Sequence, residues 1–203
     1  MAVAVWDGGA DEVPGLYPRE AEAIRNAVPA RQAEFARGRA CARRALAQLG
    51  SDPCPIPVGD HRQPLWPPGY VGSITHCKGL VVAVAARDDR LAAIGVDAEP
   101  AGPLPDGTAK LVLAPDEMEE APPPLDTVVF SAKEAVHKAL FPISHVWMDF
   151  LDVRLGLDAG AGTFHAAPSP HARTSVAQME GLHGRFSVSD AFVLTAAYGH
   201  PPL

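Results

Sequence analysis

Ile94-Gly95-Val96-Asp97-Ala98-Glu99-Pro100 and, further on, Phe130-Ser131-Ala132-Lys133-Glu134-Ala135-Val136-His137-Lys138 decide how this chain is read. In the first stretch apolar Ile94 and Val96 lead into Asp97 and Glu99, and an extended backbone points residues i and i+2 to the same face. Two carboxylates side by side at a strand end repel each other, and a hard divalent cation bound through oxygen relieves that repulsion. In the second stretch Ala132, Ala135, Val136, Ala139 and Leu140 recur at helical spacing, which leaves Glu134 and Lys138 four apart on a more polar face. A carboxylate trio with a lysine suggests magnesium and a phosphate-bearing ligand.

Composition narrows the field. With 203 residues, 47% of them hydrophobic, the chain can fill a core and fold alone. A net charge of -7 argues against a general nucleic-acid binder, so any anion site must be a local concentration of arginine and lysine. Cys41, Cys54 and Cys77 show no C-x-x-C spacing, which points to neither a disulfide framework nor zinc and fits a reducing cytoplasm. The first residues carry no basic flank, and no run of eighteen apolar residues occurs, so neither secretion nor membrane spanning is expected.

Upstream, residues 1–18 read as an extended lead-in, 20–26 as a short helix and 31–49 as a longer one with Phe35, Ala42, Leu46 and Leu49 on one stripe and Gly50 at its end. The longer helix holds Arg31, Arg37, Arg39, Arg43 and Arg44, five of thirteen arginines. Such a cluster is either a solvated face or a phosphate grip; Arg39 and Arg43, four apart, share one face, and guanidinium forks match phosphate oxygens. Six prolines between Ser51 and Tyr70 predict a surface loop. Gly72–Gly79 reads as a polar turn into a buried strand over Leu80–Ala85, which Asp88-Asp89 turns back as a hairpin into the strand ending at Asp97. A proline-rich connector follows over 101–124, with a modest helix over 108–113, and then a helix over 127–141 that Pro142 ends. Beyond it, 150–155, 185–188 and 192–198 read as strands, the last two joined by a tight Ser189-Asp190 turn, with 159–184 loop-like. Ser73, His76 and Asp97 do not make a hydrolase triad, because no G-x-S-x-G elbow surrounds Ser73.

The two opening stretches, in this order, resemble the paired signature of the 4'-phosphopantetheinyl transferases: a G-V/I-D-x-E strand followed by a F/W-S/C/T-x-K-E-x-x-x-K helix. Each piece alone is common; the ordered pair, about thirty residues apart, is not. Trp66-Pro67, Gly72-Ser73-Ile74-Thr75-His76-Cys77 and the arginine-rich helix extend the likeness over roughly residues 30–200, to the larger, pseudo-duplicated type of the family. That resemblance implies an α+β fold of two similar α/β subdomains in tandem, 1–102 and 103–203, meeting near 100–105 with the site in the cleft between them. It implies coenzyme A as co-substrate, its 3'-phosphate held by Arg39 or, second, Arg43. Before the W-P relatives carry a basic residue, for which this chain offers His61 and Arg62. Ser73 and His76 fall at coenzyme A, the histidine on the diphosphate.

The implied reaction moves 4'-phosphopantetheine from coenzyme A to a serine of an apo acyl- or peptidyl-carrier protein and expels adenosine 3',5'-bisphosphate. Magnesium is expected on Asp97, Glu99 and Glu134, with Lys138 and His76 on the diphosphate and Glu134 or a metal-bound water taking the serine proton. Lys133 is expected to orient or brace. The connector lies near the carrier-docking surface in relatives, so Leu111, Leu113 and Met118 are contact candidates. A magnesium-dependent nucleotide hydrolase and a non-catalytic coenzyme A-binding subunit are the rivals. The doubled helix-then-strands order and the lack of a long heptad predict a monomer.

Overall fold

The computed structural model describes residues 1–6, 9, 12–170, 172–173 and 177–202; positions 7, 8, 10 and 11 of the expected lead-in and 171 and 174–176 of the expected loop lie outside the described residues. In chain order the elements are β1 (Ala2–Val5), α1 (Pro18–Ile24), α2 (Pro29–Gln48), β2 (Tyr70–Cys77), β3 (Leu80–Arg87), β4 (Ala93–Pro100), α3 (Ala109–Val112), α4 (Pro115–Glu120), α5 (Leu125–Ser144), β5 (Val153–Asp158), β6 (Thr163–Pro168), β7 (His183–Val188) and β8 (Phe192–Gly199). They form two antiparallel sheets, β1-β3-β2 and β4-β8-β7-β6-β5. No helix among the described residues is long and apolar enough to cross a membrane.

Each sheet is covered by one long helix. Pro29 opens α2, where its missing N–H is no loss, and the small buried residues Ala36, Cys41, Ala42 and Ala45 let the helix lie close on Ala2, Ala4, Val81, Ala83 and Ala85. Part of the expected lead-in is therefore a strand: β1 pairs with β3 from Ala2↔Ala85 to Val5↔Val82, alanines toward α2 and valines outward. On the other sheet α5 buries Val129, Ala132, Val136, Ala139 and Leu140 against Val153, Leu155, Phe164 and Ala197. Pro142 does not end α5; it sits in the last turn, and His145, left-handed at φ 54, closes the helix by donating to Phe141 O.

Further strand assignments differ from the sequence reading. The stretch Gly72–Cys77 is not a turn but most of β2, in register with β3 from Tyr70↔Arg87 to Cys77↔Leu80. Its polar residues belong there because β2 forms the seam between the sheets: Ser73 Oγ accepts Val96 N–H (3.1 Å) and Thr75 Oγ1 accepts Ala98 N–H (3.2 Å), so side chains replace the missing ladder bonds. For the same reason β4 is no hairpin partner of β3; it pairs with β8, Ala93↔Gly199 through Pro100↔Phe192. The carboxylate strand is thus bonded into the second sheet, and the sheets divide between Arg87 and Ala93, ahead of residues 100–105. The segment 159–184 contains β6, which pairs with β5, and in 150–155 the strand begins at Val153, after a 3-10 turn over Phe150–Asp152.

Candidate active site

Gly95 brings the two signature stretches together. A Cβ there would lie 2.0 Å from Ala135 O and 2.5 Å from Ala139 N, so only glycine lets the backbone of α5 rest on β4 at this depth. One residue pair further along, Asp97 is 4% exposed and held on three sides: Oδ1 accepts Thr75 Oγ1 at 3.1 Å and Lys138 Nζ at 2.5 Å, and Oδ2 accepts Ser131 Oγ at 2.8 Å. Ser131 also bonds Thr195 on β8, which fixes the pitch of α5 over the sheet.

Asp97, Glu99, Glu134 and Lys138 line one wall of a cleft of about 490 Å³. Burial pushes the Glu99 carboxyl up to about 7, with Asp97 and Glu134 adding to the rise and Lys138 opposing it. Burial likewise raises the Glu134 carboxyl, Lys138 opposing and Asp97 adding. The donor set, three carboxylates and no softer ligand, suits a hard divalent cation in chemistry. In geometry the set is not closed: among the described residues no three His, Cys, Asp or Glu side chains are gathered as a metal site, and Lys138 holds Asp97 Oδ1.

The facing wall is basic. Arg31, Arg39 and Arg62 line it with His76, Phe35 and Pro64, and one carboxylate, Glu34, pairs there with Arg31 at 3.4 Å. Arg39 is 5% exposed, donates Nε–H to Ile56 O at 2.7 Å and stacks over Phe35; burial lowers its guanidinium to about 10, partly offset by Glu20. Arg31 approaches His76 Nε2 at 2.6 Å, and since arginine only donates, that nitrogen is the acceptor and Nδ1 carries the proton. The same neutral form follows from burial, which lowers His76, with Glu34 opposing. Arg62 adopts φ 69, a left-handed conformation that costs a non-glycine residue about 1 kcal/mol or more and that aims it at the cleft.

Other expected site residues lie elsewhere. Arg43 leaves the cleft; its guanidinium grips both oxygens of fully buried Glu20 and reaches Gly15 O, an internal brace that Glu20 extends to Tyr17 N–H and Ile56 N–H. Ser73 accepts Val96 N–H in the seam and also lines the side pocket beside the cleft. His61 stacks edge-on to Phe141 beside a side pocket of about 240 Å³, which also holds His137 and Trp147 and shares Arg62, Pro64, Ile74 and Lys138 with the cleft. Lys133 points the opposite way from Glu134, bonding Val112 O (2.9 Å) and Glu117 Oε2 (2.6 Å). Leu113 is buried in the core and Met118 packs against it, which removes Leu113 as a contact candidate; Leu111 is exposed.

Sequence reasoning missed Arg31 as a cleft residue, Thr75 and Ser131 as the Asp97 clasp, and Glu117 as the Lys133 partner. The first was only partly legible: Arg31 belongs to the same arginine-rich helix as Arg39, but eight residues carry a helix about 80° past two full turns, so spacing alone does not put the two on one face. The clasp and the Glu117 pairing depend on chain crossings that no local spacing announces.

Two family models match the chain: the 4'-phosphopantetheinyl transferase N-terminal domain over residues 19–86 and the 4'-phosphopantetheinyl transferase superfamily over 93–195. The chain is 42% identical over 204 residues to the 4'-phosphopantetheinyl transferase Svp of Streptomyces mobaraensis, covering 95% of this chain and 82% of that one. It is 39% identical over 196 residues to the 4'-phosphopantetheinyl transferase PptT of Mycobacterium tuberculosis, covering 90% and 86%. Against enterobactin synthase component D of Salmonella typhi identity is 40% over 124 residues, 57% of this chain and 51% of that protein. With two matching models in tandem and relatives alike over most of both chains, this chain belongs to the 4'-phosphopantetheinyl transferase superfamily.

Proposed function

We propose that the protein transfers 4'-phosphopantetheine from coenzyme A to a serine of an apo acyl- or peptidyl-carrier protein, releasing adenosine 3',5'-bisphosphate. The observation that carries this reading is the division of one cleft into a basic wall, Arg31, Arg39, Arg62 and His76, and an acidic wall, Asp97, Glu99 and Glu134 with Lys138. Arg39, preorganised by Ile56 O and Phe35, is assigned to the 3'-phosphate, with Arg31 beside it; Arg43 is not. His76 and Lys138 meet the diphosphate, His76 once Arg31 turns from its ring to the anion, each charge-assisted bond contributing about 1.5–3 kcal/mol. The side pocket suits the uncharged pantetheine arm, because Phe141, Trp147 and Ile74 give it apolar walls next to the cleft.

Asp97, Glu99 and Glu134 would hold magnesium, which when bound neutralises the diphosphate oxygens and stabilises the leaving group. Glu134, its carboxyl raised by burial toward the working range of a general base, accepts the proton of the attacking serine. Incubation of the protein with an apo carrier, coenzyme A and magnesium chloride is expected to add one phosphopantetheinyl mass to the carrier. Release of nucleotide with an unmodified carrier would instead identify a hydrolase.

A further inference from the structure

Asp97 accepts three hydrogen bonds before any cation arrives, from two hydroxyls and one ammonium. Only the ammonium brings full charge. Glu99 and Glu134, on the same wall, make no hydrogen bond or ion pair among the described residues, and Lys138, which pairs with Asp97, acts on both only through electrostatic attraction. The wall is short by the charge of a divalent ion, yet Lys138 Nζ lies where that ion must approach Asp97. The lysine is not locked in: its side chain is 28% exposed against 5% for Asp97, and a flexible four-carbon stem lets the ammonium swing into the cleft toward the side faced by Arg31 and His76.

We propose that Lys138 is an exchangeable counter-ion, neutralising Asp97 in the free protein and passing to the diphosphate oxygens when coenzyme A binds, which releases Asp97 Oδ1 to the divalent cation. The inference rests on the phosphopantetheinyl-transfer reading of the cleft. Without diphosphate, a cation must evict Lys138 from Asp97 and then sit beside the displaced positive charge; with diphosphate, the ammonium gains a partner as it leaves. Cation and coenzyme A therefore bind cooperatively, and by linkage each raises the other's affinity by the same factor.

The test is a calorimetric titration of magnesium chloride into wild-type, Lys138→Gln, Lys138→Arg and Asp97→Asn proteins, with and without coenzyme A, at about pH 8, where the raised Glu99 carboxyl is ionised. Wild type is expected to bind Mg²⁺ on the order of tenfold more weakly without coenzyme A than with it. Lys138→Gln is expected to bind Mg²⁺ alone about tenfold more tightly than wild type and to gain less than wild type from coenzyme A, the remaining coupling coming from the diphosphate charge itself, while Lys138→Arg, which keeps the charge, behaves as wild type in both. Unchanged Mg²⁺ affinity in a Lys138→Gln protein of wild-type thermal midpoint overturns the exchange; if Asp97→Asn at the same time abolishes Mg²⁺ binding to the coenzyme A complex, the cation assignment survives and only the role of Lys138 falls. No Mg²⁺ binding by wild type, even with coenzyme A, overturns both.

Discussion

Arg39 and Arg43 lie four residues apart on α2 and face different neighbours, one the cleft and the other Glu20. Their alanine variants should separate accordingly. Arg39→Ala is expected to weaken binding of coenzyme A far more than binding of its 3'-dephospho form, as read by competition titration; equal losses would remove the guanidinium from the 3'-phosphate. Arg43→Ala leaves that ratio unchanged and lowers unfolding free energy by about 1.5–3 kcal/mol, because Glu20 stays buried without its cation. Glu99 carries a pH dependence. Its carboxyl is raised from 4.5 to about 7 in the folded protein, so the native state binds more protons than the unfolded one across that interval and stability falls as pH rises through it. Buried His76 and His137, both lowered, work in the opposite sense, so the quantity to measure is the difference between wild type and Glu99→Gln. In metal-free buffer wild type should lose thermal midpoint relative to Glu99→Gln between about pH 4.5 and 7. A constant difference would mean that Glu99 titrates like an exposed glutamate.

The elements show where local sequence is informative and where it is not. Helix α5 was legible because its apolar residues keep a 3.6-residue period, and β4 because Ile94 and Val96 lead into acidic residues at every second position, Asp97 and Glu99. Strand β2 was not: Gly72, Ser73 and Thr75 read as turn chemistry, but they serve a seam that only the folded chain supplies, and Gly72 lies under Trp66, where a Cβ would come within 2.4 Å of the indole. The strand β1 was hidden for a related reason, its inward residues being alanines that suit a closely packed helix and give little hydrophobic signal. The pairing of β4 with β8 rather than β3 is a choice between long-range partners, which alternation alone does not encode. Gly95 tests the seam directly. Gly95→Ala must push α5 off β4, costing about 1–3 kcal/mol by overpacking. Because the same displacement moves Glu134 and Lys138 away from Asp97, transfer activity is expected to fall more steeply than stability. Chemical denaturation beside the carrier-modification assay measures both, and parallel losses would show that Gly95 only supports the core.

At the scale of the whole molecule, the cleft draws its basic wall from α2, the proline-rich loop and β2 and its acidic wall from β4 and α5, all within one polypeptide. The two family models divide at the same place, 19–86 holding the basic wall and 93–195 the acidic one. The sheets resemble each other in plan: β3 is central in one, β8 lies inside the other, and each sheet is backed by a long helix. Their seam at β2 and β4 is made by buried side chains, Ser73 and Thr75 with Val96, Asp97 and Ala98, which holds the walls in fixed relation without a second copy. We therefore propose that one chain completes the site and acts as a monomer. Arg39→Ala and Glu134→Ala proteins, each impaired because a different wall is damaged, provide the test when mixed in equal amounts. Were the cleft built between subunits, mixed dimers would place an intact basic wall against an intact acidic one and restore part of the transfer rate. A single-chain site repairs nothing on mixing, so the rate of the mixture is expected to equal the mean of the two variants at every protein concentration. A rate that rises above that mean as concentration increases would refute the monomer.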